Sequence, residues 1–150
     1  MPFTPASPDV ERRIRASFDR QPVMTMLGAT LARVAPGEVE IHLPYRMDLT
    51  QQHGFIHAGI VSTIGDSACG YAAFSLMPAE ASVLTVEFKI NLLAPAQGER
   101  LITRARVVRP GRTLTVCQAD VAALTGETER LVATMLATIM TVLERPGVKG

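Results

Sequence analysis

Residues 58–77 read AGIVSTIGDSACGYAAFSLM, an apolar run dense in glycine, alanine and serine. Such a run predicts a helix in the protein core, with small residues that let other backbones come close. Asp66 lies near its middle, where a carboxylate is costly unless it is paired or hydrogen-bonded. Two interpretations are open at this point: Asp66 bonds a nearby backbone group, or it is a catalytic carboxylate.

The composition favours a single domain that associates with other copies of itself. The chain has 150 residues, of which 47% are hydrophobic, and this is high for a monomer in solution. We therefore expect apolar surface to be buried between subunits. A net charge of only +1, with no basic block and no tryptophan, argues against nucleic acid or a membrane surface as the main partner.

The cysteines and the chain start predict a cytoplasmic protein. Cys69 and Cys117 lie in apolar runs and are interpreted as small core residues in a reducing compartment. The first residues carry charges where a signal peptide would have its hydrophobic region. Residues 58–77 approach the length of a membrane span, but Asp66 and the small polar residues favour a core helix.

The rest of the chain predicts two further elements before this helix. Three prolines in residues 1–8 indicate a flexible arm, and residues 9–20 predict a short amphipathic helix. Residues 28–45 predict a β-hairpin that turns at Pro36-Gly37. We expect one domain over residues 9–145 and a tail over residues 146–150.

Four strands are predicted after the helix. In residues 82–93, apolar side chains alternate with Thr85, Glu87, Lys89 and Asn91, which predicts a strand with one buried face and Thr85 on the polar one. Residues 101–109 and 113–123 predict the next two strands. Residues 131–143 are apolar throughout and predict a central strand covered on both faces. The expected fold class is α+β, an antiparallel sheet wrapped around one long central helix.

Four stretches give this layout a family resemblance. They are Gly54-Phe55-Ile56-His57-Ala58-Gly59, then Asp66, then residues 85–91 with Ala94-Pro95-Ala96, and finally Arg109-Pro110-Gly111-Arg112-Thr113. In this order they resemble the hotdog-fold acyl-CoA thioesterases of the phenylacetate-degradation type. The resemblance implies a catalytic set of Asp66, His57, Ala58, Gly59, Gln51 and Thr85. Hotdog proteins also dehydrate, hydrate or merely bind acyl groups, so the fold alone does not decide activity.

Two positions depart from the family pattern. The family usually has His-Gly-Gly where this chain has His57-Ala58-Gly59, and alanine keeps the amide N–H but adds a methyl group. The family often has an asparagine where Gln51 stands, and the glutamine side chain is one methylene longer.

Thioester hydrolysis needs a donor for the negative charge on the carbonyl oxygen and a base or nucleophile beside the carbonyl carbon. The helix start offers the N–H groups of Ala58 and Gly59 to a developing oxyanion. Asp66 would act as general base on water or as nucleophile, and the sequence leaves both open. His57 is expected to fix the loop by bonding backbone, with direct proton transfer as the alternative. The resemblance implies that Thr85 helps hold the carboxylate or water, and an ordinary strand threonine is the alternative.

The distance between Ala58 and Asp66 predicts how copies of the chain assemble. Ala58 and Asp66 are eight residues apart, about 12 Å along one helix, so one thioester carbonyl cannot touch both. Two such helices packed antiparallel about a twofold axis would bring Asp66 of one copy beside Ala58 of the other. We therefore expect an obligate homodimer with two composite sites, and such dimers could pair into a tetramer.

A CoA substrate carries phosphates, so we expect cationic side chains near the site. Candidates for contacting it are Lys89, Asn91, Arg109, Gly111 and Arg112, because arginine binds phosphate with two hydrogen bonds and glycine permits close backbone approach. His53 and His57 lack a third ligand, so no metal is expected, and no cofactor is needed besides the CoA of the substrate.

Two rival functions are carried forward. A non-catalytic acyl-CoA binding or sensor module is suggested by the departures at Ala58 and Gln51. A hotdog hydratase or dehydratase would need a histidine paired with an acid at its own spacing, and that pairing is not found. A serine hydrolase is disfavoured because the G-x-S-x-G motif is missing from the sequence.

Overall fold

The computed structural model describes residues 2–150. Two short helices and a hairpin precede the long helix, and four strands follow it. In chain order the elements are α1 (Val10–Asp19), α2 (Pro22–Leu27), β1 (Thr30–Ala35), β2 (Glu38–Pro44), a 3-10 turn (Met47–Leu49), α3 (Ala58–Phe74), β3 (Ser82–Leu92), β4 (Arg100–Arg109), β5 (Leu114–Thr125) and β6 (Thr128–Val142).

The strands form one antiparallel sheet in the order β1-β2-β4-β5-β6-β3. Helix α3 packs against β2 to β6, and its apolar side chains join those of the sheet in one core. The predicted hairpin, long helix and four later strands are confirmed, and so is the expected fold, a hotdog architecture.

Both ends of α3 are held by side chains. His57 is the N-cap residue, and its Nδ1 accepts a hydrogen bond from the Gly59 N–H. The helix ends at Phe74, three residues before the predicted end. Arg13 of α1 donates to the carbonyl oxygens of Phe74 and Met77 and stacks 4.4 Å from the centre of the Phe74 ring. The Phe74 carbonyl oxygen also accepts from the Met77 N–H, so the arginine adds to a helix end that its own backbone partly satisfies.

Helix α2 was not predicted from the sequence. Gln21-Pro22 was interpreted only as the end of α1, yet Pro22 begins a second helix, a position that suits its fixed φ. The helix stops at Gly28, whose φ of 72° is the left-handed conformation that glycine adopts freely. The junction between α1 and α2 thus turns sharply at Gln21.

A β-bulge corrects the prediction for β3. The pairing register with β6 shifts between Thr85 and Glu87. Because neighbouring residues point to opposite faces, the extra residue reverses the alternation. Thr85 pairs with the buried Ile139 and faces α3, so its predicted place on the polar face was wrong. Leu84, predicted to be inside, pairs with Met140 on the other face.

The predictions of buried strand faces were also partly wrong. β6 does lie inside the sheet, between β5 and β3, but its face turned away from α3 is open and Leu136 is 53% exposed. β3 is mostly exposed on both faces, with Phe88 at 42% and Leu92 at 53%. The cause is position: within residues 2–150, β3 pairs with β6 alone, so it forms one edge of the sheet.

Five of the twelve large apolar residues that are exposed in the described chain lie on this edge strand or just beyond it. They are Leu84, Val86, Phe88, Leu92 and Leu93. An edge with unpaired backbone groups and apolar side chains is a surface on which another strand can pair. None of the helices in the described chain is both long and apolar enough to cross a membrane.

Candidate functional site

The Asp66 carboxylate is held by a threonine from the edge strand. The Thr85 hydroxyl donates to Asp66 Oδ1 at 2.6 Å. This bond exists because the bulge in β3 turns Thr85 towards α3. Asp66 is half-buried, and the second oxygen of its carboxylate has no side-chain partner among residues 2–150. A carboxylate oriented by one bond and otherwise open can accept a proton or attack a carbonyl carbon.

A cavity of about 540 Å³ adjoins this carboxylate, and we call it the carboxylate cavity. Its walls come from the middle of α3, the first residues of β3, the junction of α1 with α2, and the C-terminal residues Lys149 and Gly150. The lining includes Gln21, Asp66, Ser67, Gly70, Tyr71 and Thr85. This volume is within the range of small-molecule binding sites.

The start of α3 presents one amide that has no acceptor. The Gly59 N–H donates to His57 Nδ1 at 2.8 Å, so Gly59 is occupied within its own loop. The Ala58 N–H has no hydrogen bond to any described residue and lies at the positive end of the helix dipole. The histidine therefore acts here as a loop-fixing residue through Nδ1, and Ala58 is the amide open to an anion.

A second cavity of about 450 Å³ lies at this helix start, and we call it the helix-start cavity. Gln51, Phe55 and Ala58 line one side, and residues at the end of β3 and in the segment 93–96 line the other. The Gln51 side-chain oxygen accepts from the His53 N–H, so this side chain folds back onto its own loop.

The two cavities are separate within one chain. The residues that line them do not overlap in the described part of the chain. Ala58 and Asp66 lie on the same continuous helix, eight residues or about 12 Å apart. The structure therefore does not bring the predicted oxyanion donor and the predicted carboxylate to one place within a single copy.

The two cysteines are buried, as predicted, and neither thiol acts as a nucleophile. Cys69 and Cys117 are fully buried free thiols. Burial raises the pKa of both, that of Cys117 to about 12. Both remain protonated at neutral pH, and a protonated thiol is a poor nucleophile.

The predicted CoA contacts lie on exposed surface. Lys89 and Asn91 lie on the face of β3 opposite Asp66, and Arg109 ends β4. Arg109, Arg112 and Lys89 make no side-chain hydrogen bond or ion pair with the residues described, so their charges are available. Position 111 requires glycine for a structural reason, because a Cβ there would collide with the Leu114 carbonyl oxygen across the turn.

A second threonine–aspartate pair lies on the outer face, the side of the sheet turned away from α3. The Thr134 hydroxyl donates to Asp120 Oδ1 at 2.7 Å. Beside it, Arg104 binds Glu129 with two hydrogen bonds and Glu40 with one. We call Glu40, Arg104 and Glu129 the outer-face network.

Sequence reasoning missed the far wall of the carboxylate cavity. Gln21, Ser67 and Tyr71 line it, but the sequence places Gln21 more than 40 residues before the other two. Only the four-residue spacing of Ser67 and Tyr71, which places them on one face of a helix, carried any signal. The contribution of Gln21 depends on α2, which the sequence did not predict.

Comparison with known proteins agrees with this architecture. Residues 53–129 match the thioesterase superfamily. A crystal structure of a thioesterase family protein from Silicibacter pomeroyi superposes with a TM-score of 0.88 at 60% identity, over 89% of this chain and 98% of that one. Acyl-coenzyme A thioesterase 13 of Homo sapiens is 29% identical over 94 residues, 61% of this chain and 65% of its own.

The PaaI protein from the phenylacetic acid degradation operon of E. coli has the same fold. It superposes with a TM-score of 0.80 over 89% of this chain and 94% of that one, at 16% identity. The fold and the family match together define the class of protein: the chain belongs to the thioesterase superfamily. It is a thioester hydrolase, as the sequence predicted, while the phenylacetate type is supported by the shared fold alone.

Proposed function

We propose that this chain hydrolyses acyl-CoA thioesters in two composite sites, each formed by two copies of the chain. The observation that carries the proposal is the complementarity of the two cavities. One holds a hydroxyl-oriented carboxylate, and the other holds a helix start with an open amide. Each cavity supplies the group that the other lacks for cleaving a thioester.

Asp66 supplies the attacking function. As a general base it takes a proton from water while the water oxygen bonds to the carbonyl carbon, and the C–S bond then breaks as the CoA thiolate leaves. As a nucleophile, its carboxylate oxygen bonds to the carbonyl carbon and the C–S bond breaks as the CoA thiolate leaves, which gives an anhydride; water then cleaves the anhydride to the free acid and the Asp66 carboxylate. Thr85 orients the carboxylate in both schemes through the 2.6 Å bond.

Ala58 supplies the oxyanion contact. Its amide N–H at the first turn of α3 stabilises the negative charge that develops on the carbonyl oxygen. Gly59 contributes to the same dipole, and its own N–H keeps His57 in place. Only the backbone amide of Ala58 is needed for this role, so the methyl group takes no part in it.

The edge strand β3 supports the pairing of two copies. The carboxylate cavity is lined by Val83 and Thr85 at the start of β3, and the helix-start cavity by Leu92 at its end. If two β3 strands pair antiparallel about a twofold axis near their middle, the start of each lies beside the end of the other. That arrangement joins the carboxylate cavity of one copy to the helix-start cavity of the second.

The same pairing covers exposed apolar surface. Phe88 and Leu92 lose contact with water, and the unpaired backbone groups of β3 gain partners. The small residues of α3 were expected to let a second helix come close. At Gly65 that space is already filled by the same copy, because a Cβ there would lie 3.0 Å from Met135 Cε. The pairing of two dimers into a tetramer, on another surface, stays a prediction.

Coenzyme A is proposed to contact the free cations. Arg109, Arg112 and Lys89 would bind its phosphates, with Asn91 beside Lys89 on the same strand. Gly111 keeps the β4–β5 turn tight enough to place the two arginines. A cytoplasmic location fits two buried cysteines that remain free thiols.

One observation favours an alternative, an acyl-CoA binding or sensor module without turnover. The Gln51 side chain, which stands where an asparagine often orients water or thioester in the family, is bonded to the His53 amide. A panel of short, medium, long and aromatic acyl-CoAs with a thiol-reactive dye distinguishes the two functions. Binding without thiol release across the panel would establish the sensor.

The hydrolase is tested by Asp66→Asn, which should lower kcat by at least about a hundredfold because it removes the base or nucleophile while keeping the shape. The matched control is Asp120→Asn on the outer face, which changes a carboxylate held by a threonine in the same way. Hydrolysis that survives Asp66→Asn at the wild-type rate would refute the proposal.

A further inference from the structure

The carboxylate cavity continues along α3 beyond Asp66. Its lining includes Ser67, Gly70, Tyr71 and Phe74, which lie on one side of the helix. From Asp66 to Phe74 the helix rises over eight residues, about 12 Å. A Cβ at Gly70 would meet open space, so the absence of a side chain there keeps this stripe clear. The stripe offers an acyl group a path that starts at the carboxylate.

The first stretch of this path has a polar wall. The buried Ser67 hydroxyl donates to the Gln21 side-chain oxygen at 3.2 Å. Gln21 is held in place through its backbone, whose carbonyl oxygen accepts from the N–H groups of Met24 and Thr25 at the start of α2. Its side-chain nitrogen, which has two N–H groups, has no partner in the described chain.

A second polar pair lies further along. The Tyr71 hydroxyl lies 3.4 Å from Ser17 Oγ, four residues beyond Ser67 on α3. Tyr71 is buried, and burial raises the pKa of its phenol, so the hydroxyl keeps its proton and can donate. One hydrogen bond uses only one of the two hydroxyl protons of this pair, so one donor is left here as well. The Gln21 amide is half-buried, so water satisfies its N–H groups until a ligand fills the cavity. Because Gln21 bonds Ser67, the residue next to Asp66, its amide is the donor that a ligand beside the carboxylate meets first.

We infer that the Gln21 amide recognises an oxygen substituent on the acyl group of the substrate. Ser67 follows Asp66 directly, so the recognised oxygen lies on one of the first few carbons from the thioester. The preferred substrates are then acyl-CoAs with a hydroxyl or keto group near the thioester, in preference to plain alkyl chains of equal length. This inference rests on the proposed hydrolysis of acyl-CoA at Asp66.

The physical basis is the cost of covering an unpaired donor. A plain alkyl group that fills the cavity removes water from the Gln21 N–H groups and offers no acceptor in exchange. A substrate oxygen at that point replaces the lost water. Sites built this way discriminate strongly against analogues that lack the polar group.

The test compares butanoyl-CoA with 3-hydroxybutanoyl-CoA as paired probes. The wild-type protein should show a kcat/KM for the hydroxylated ester about tenfold higher. Gln21→Leu removes the amide while roughly keeping the volume, and the ratio should fall to about one, mainly through loss on the hydroxylated ester. Gln118→Leu, whose glutamine lies on the outer face and bonds Arg106, is the matched control and should keep the wild-type ratio.

Gln21→Glu is the second variant and replaces Gln21→Leu in the test if that variant does not fold. It keeps an oxygen for the Ser67 hydroxyl but removes the N–H donors, so the ratio should fall in the same way. A wild-type ratio of one, or an equal loss on both esters in either variant, would overturn the inference and leave the hydrolase proposal intact. Failure of the wild-type protein to release thiol from any acyl-CoA in the wider panel would overturn both.

Discussion

Two threonine–aspartate pairs of nearly equal length lie on opposite faces of this sheet. Thr85 holds Asp66 at 2.6 Å on the inner face, and Thr134 holds Asp120 at 2.7 Å on the outer face. The bonds have the same chemistry. Asp66, however, lies on a buried helix and opens into the carboxylate cavity at the edge of the sheet, whereas Asp120 lies in mid-sheet with Arg104 on the neighbouring strand.

The proposed function assigns the reactive role to Asp66 because of its surroundings, since both aspartates have the same threonine bond. The charges beside Asp120 are already satisfied by one another in the outer-face network. Asp66 has an orienting hydroxyl and no ion pair within residues 2–150, although Arg20 and Lys149 line the same cavity.

The largest effect is expected from removing the helix-start amide. Ala58→Pro deletes the N–H at the first helical position, where proline is favoured, and His57 already has the extended ψ of 139° that a residue before proline needs. The fold should persist while kcat falls by about a hundredfold or more, the usual cost of losing an oxyanion donor. Steady-state kinetics with any acyl-CoA that the wild-type protein turns over would measure this.

Ala58→Gly is the companion variant, since it keeps the amide and restores the triplet common in the family. It should lose far less activity than Ala58→Pro. Equal losses in the two variants would mean that the methyl group, and not the N–H, is what matters at this position.

A smaller effect is expected from Thr85→Val, which keeps the side-chain shape and removes the hydroxyl. Loss of one hydrogen bond to a charged group should lower kcat by about tenfold. Thr134→Val makes the identical change in the outer pair and should leave kcat unchanged. If both variants behave alike in a thiol-release assay, the contrast between the two faces is wrong.

The smallest effect concerns stability and belongs to the outer-face network. Burial opposes the ionisation of Glu40, but hydrogen bonds to His42 and Arg104 outweigh it and hold its pKa below the ordinary 4.5. Hydrogen bonds from Arg104 lower the pKa of Glu129 in the same direction. A lowered folded-state pKa adds to the free energy of unfolding above about pH 4.5, and this contribution is lost as the pH falls below it.

Arg104→Ala should therefore destabilise the protein by about 1 kcal/mol at neutral pH, since the pairs are partly exposed. The deficit should shrink below pH 4.5, and kcat should not change. Denaturant unfolding at one fixed protein concentration, at two pH values, measures both. A loss of kcat with unchanged stability would place the network in the site.

Local patterns in the sequence predicted most of the fold. The unbroken apolar run of residues 58–77 predicted a core helix, and the alternation in the strand runs marked elements whose faces repeat at two residues. Asp66 stood out because it is a carboxylate in an apolar run. The roles proposed for Ala58 and His57 came from the start of this helix and from the family resemblance.

The errors arose where tertiary structure overrides local pattern. The alternation through Thr85, Val86 and Glu87 is regular, so nothing local marks the bulge that reverses it. The exposure of Phe88 follows from the position of β3 in the strand order, which alternation does not encode. Gln21 reaches the carboxylate cavity only through the α1–α2 turn.

The most direct test mixes two variants that are each inactive. Asp66→Asn and Ala58→Pro chains are co-refolded, so that random pairing makes about half the dimers mixed, and each mixed dimer rebuilds one intact site from its two unaltered halves. Composite sites predict that about a quarter of the wild-type activity returns. A mixture that stays as inactive as its parents, although mixed dimers are shown to form, would contradict a site shared between two copies.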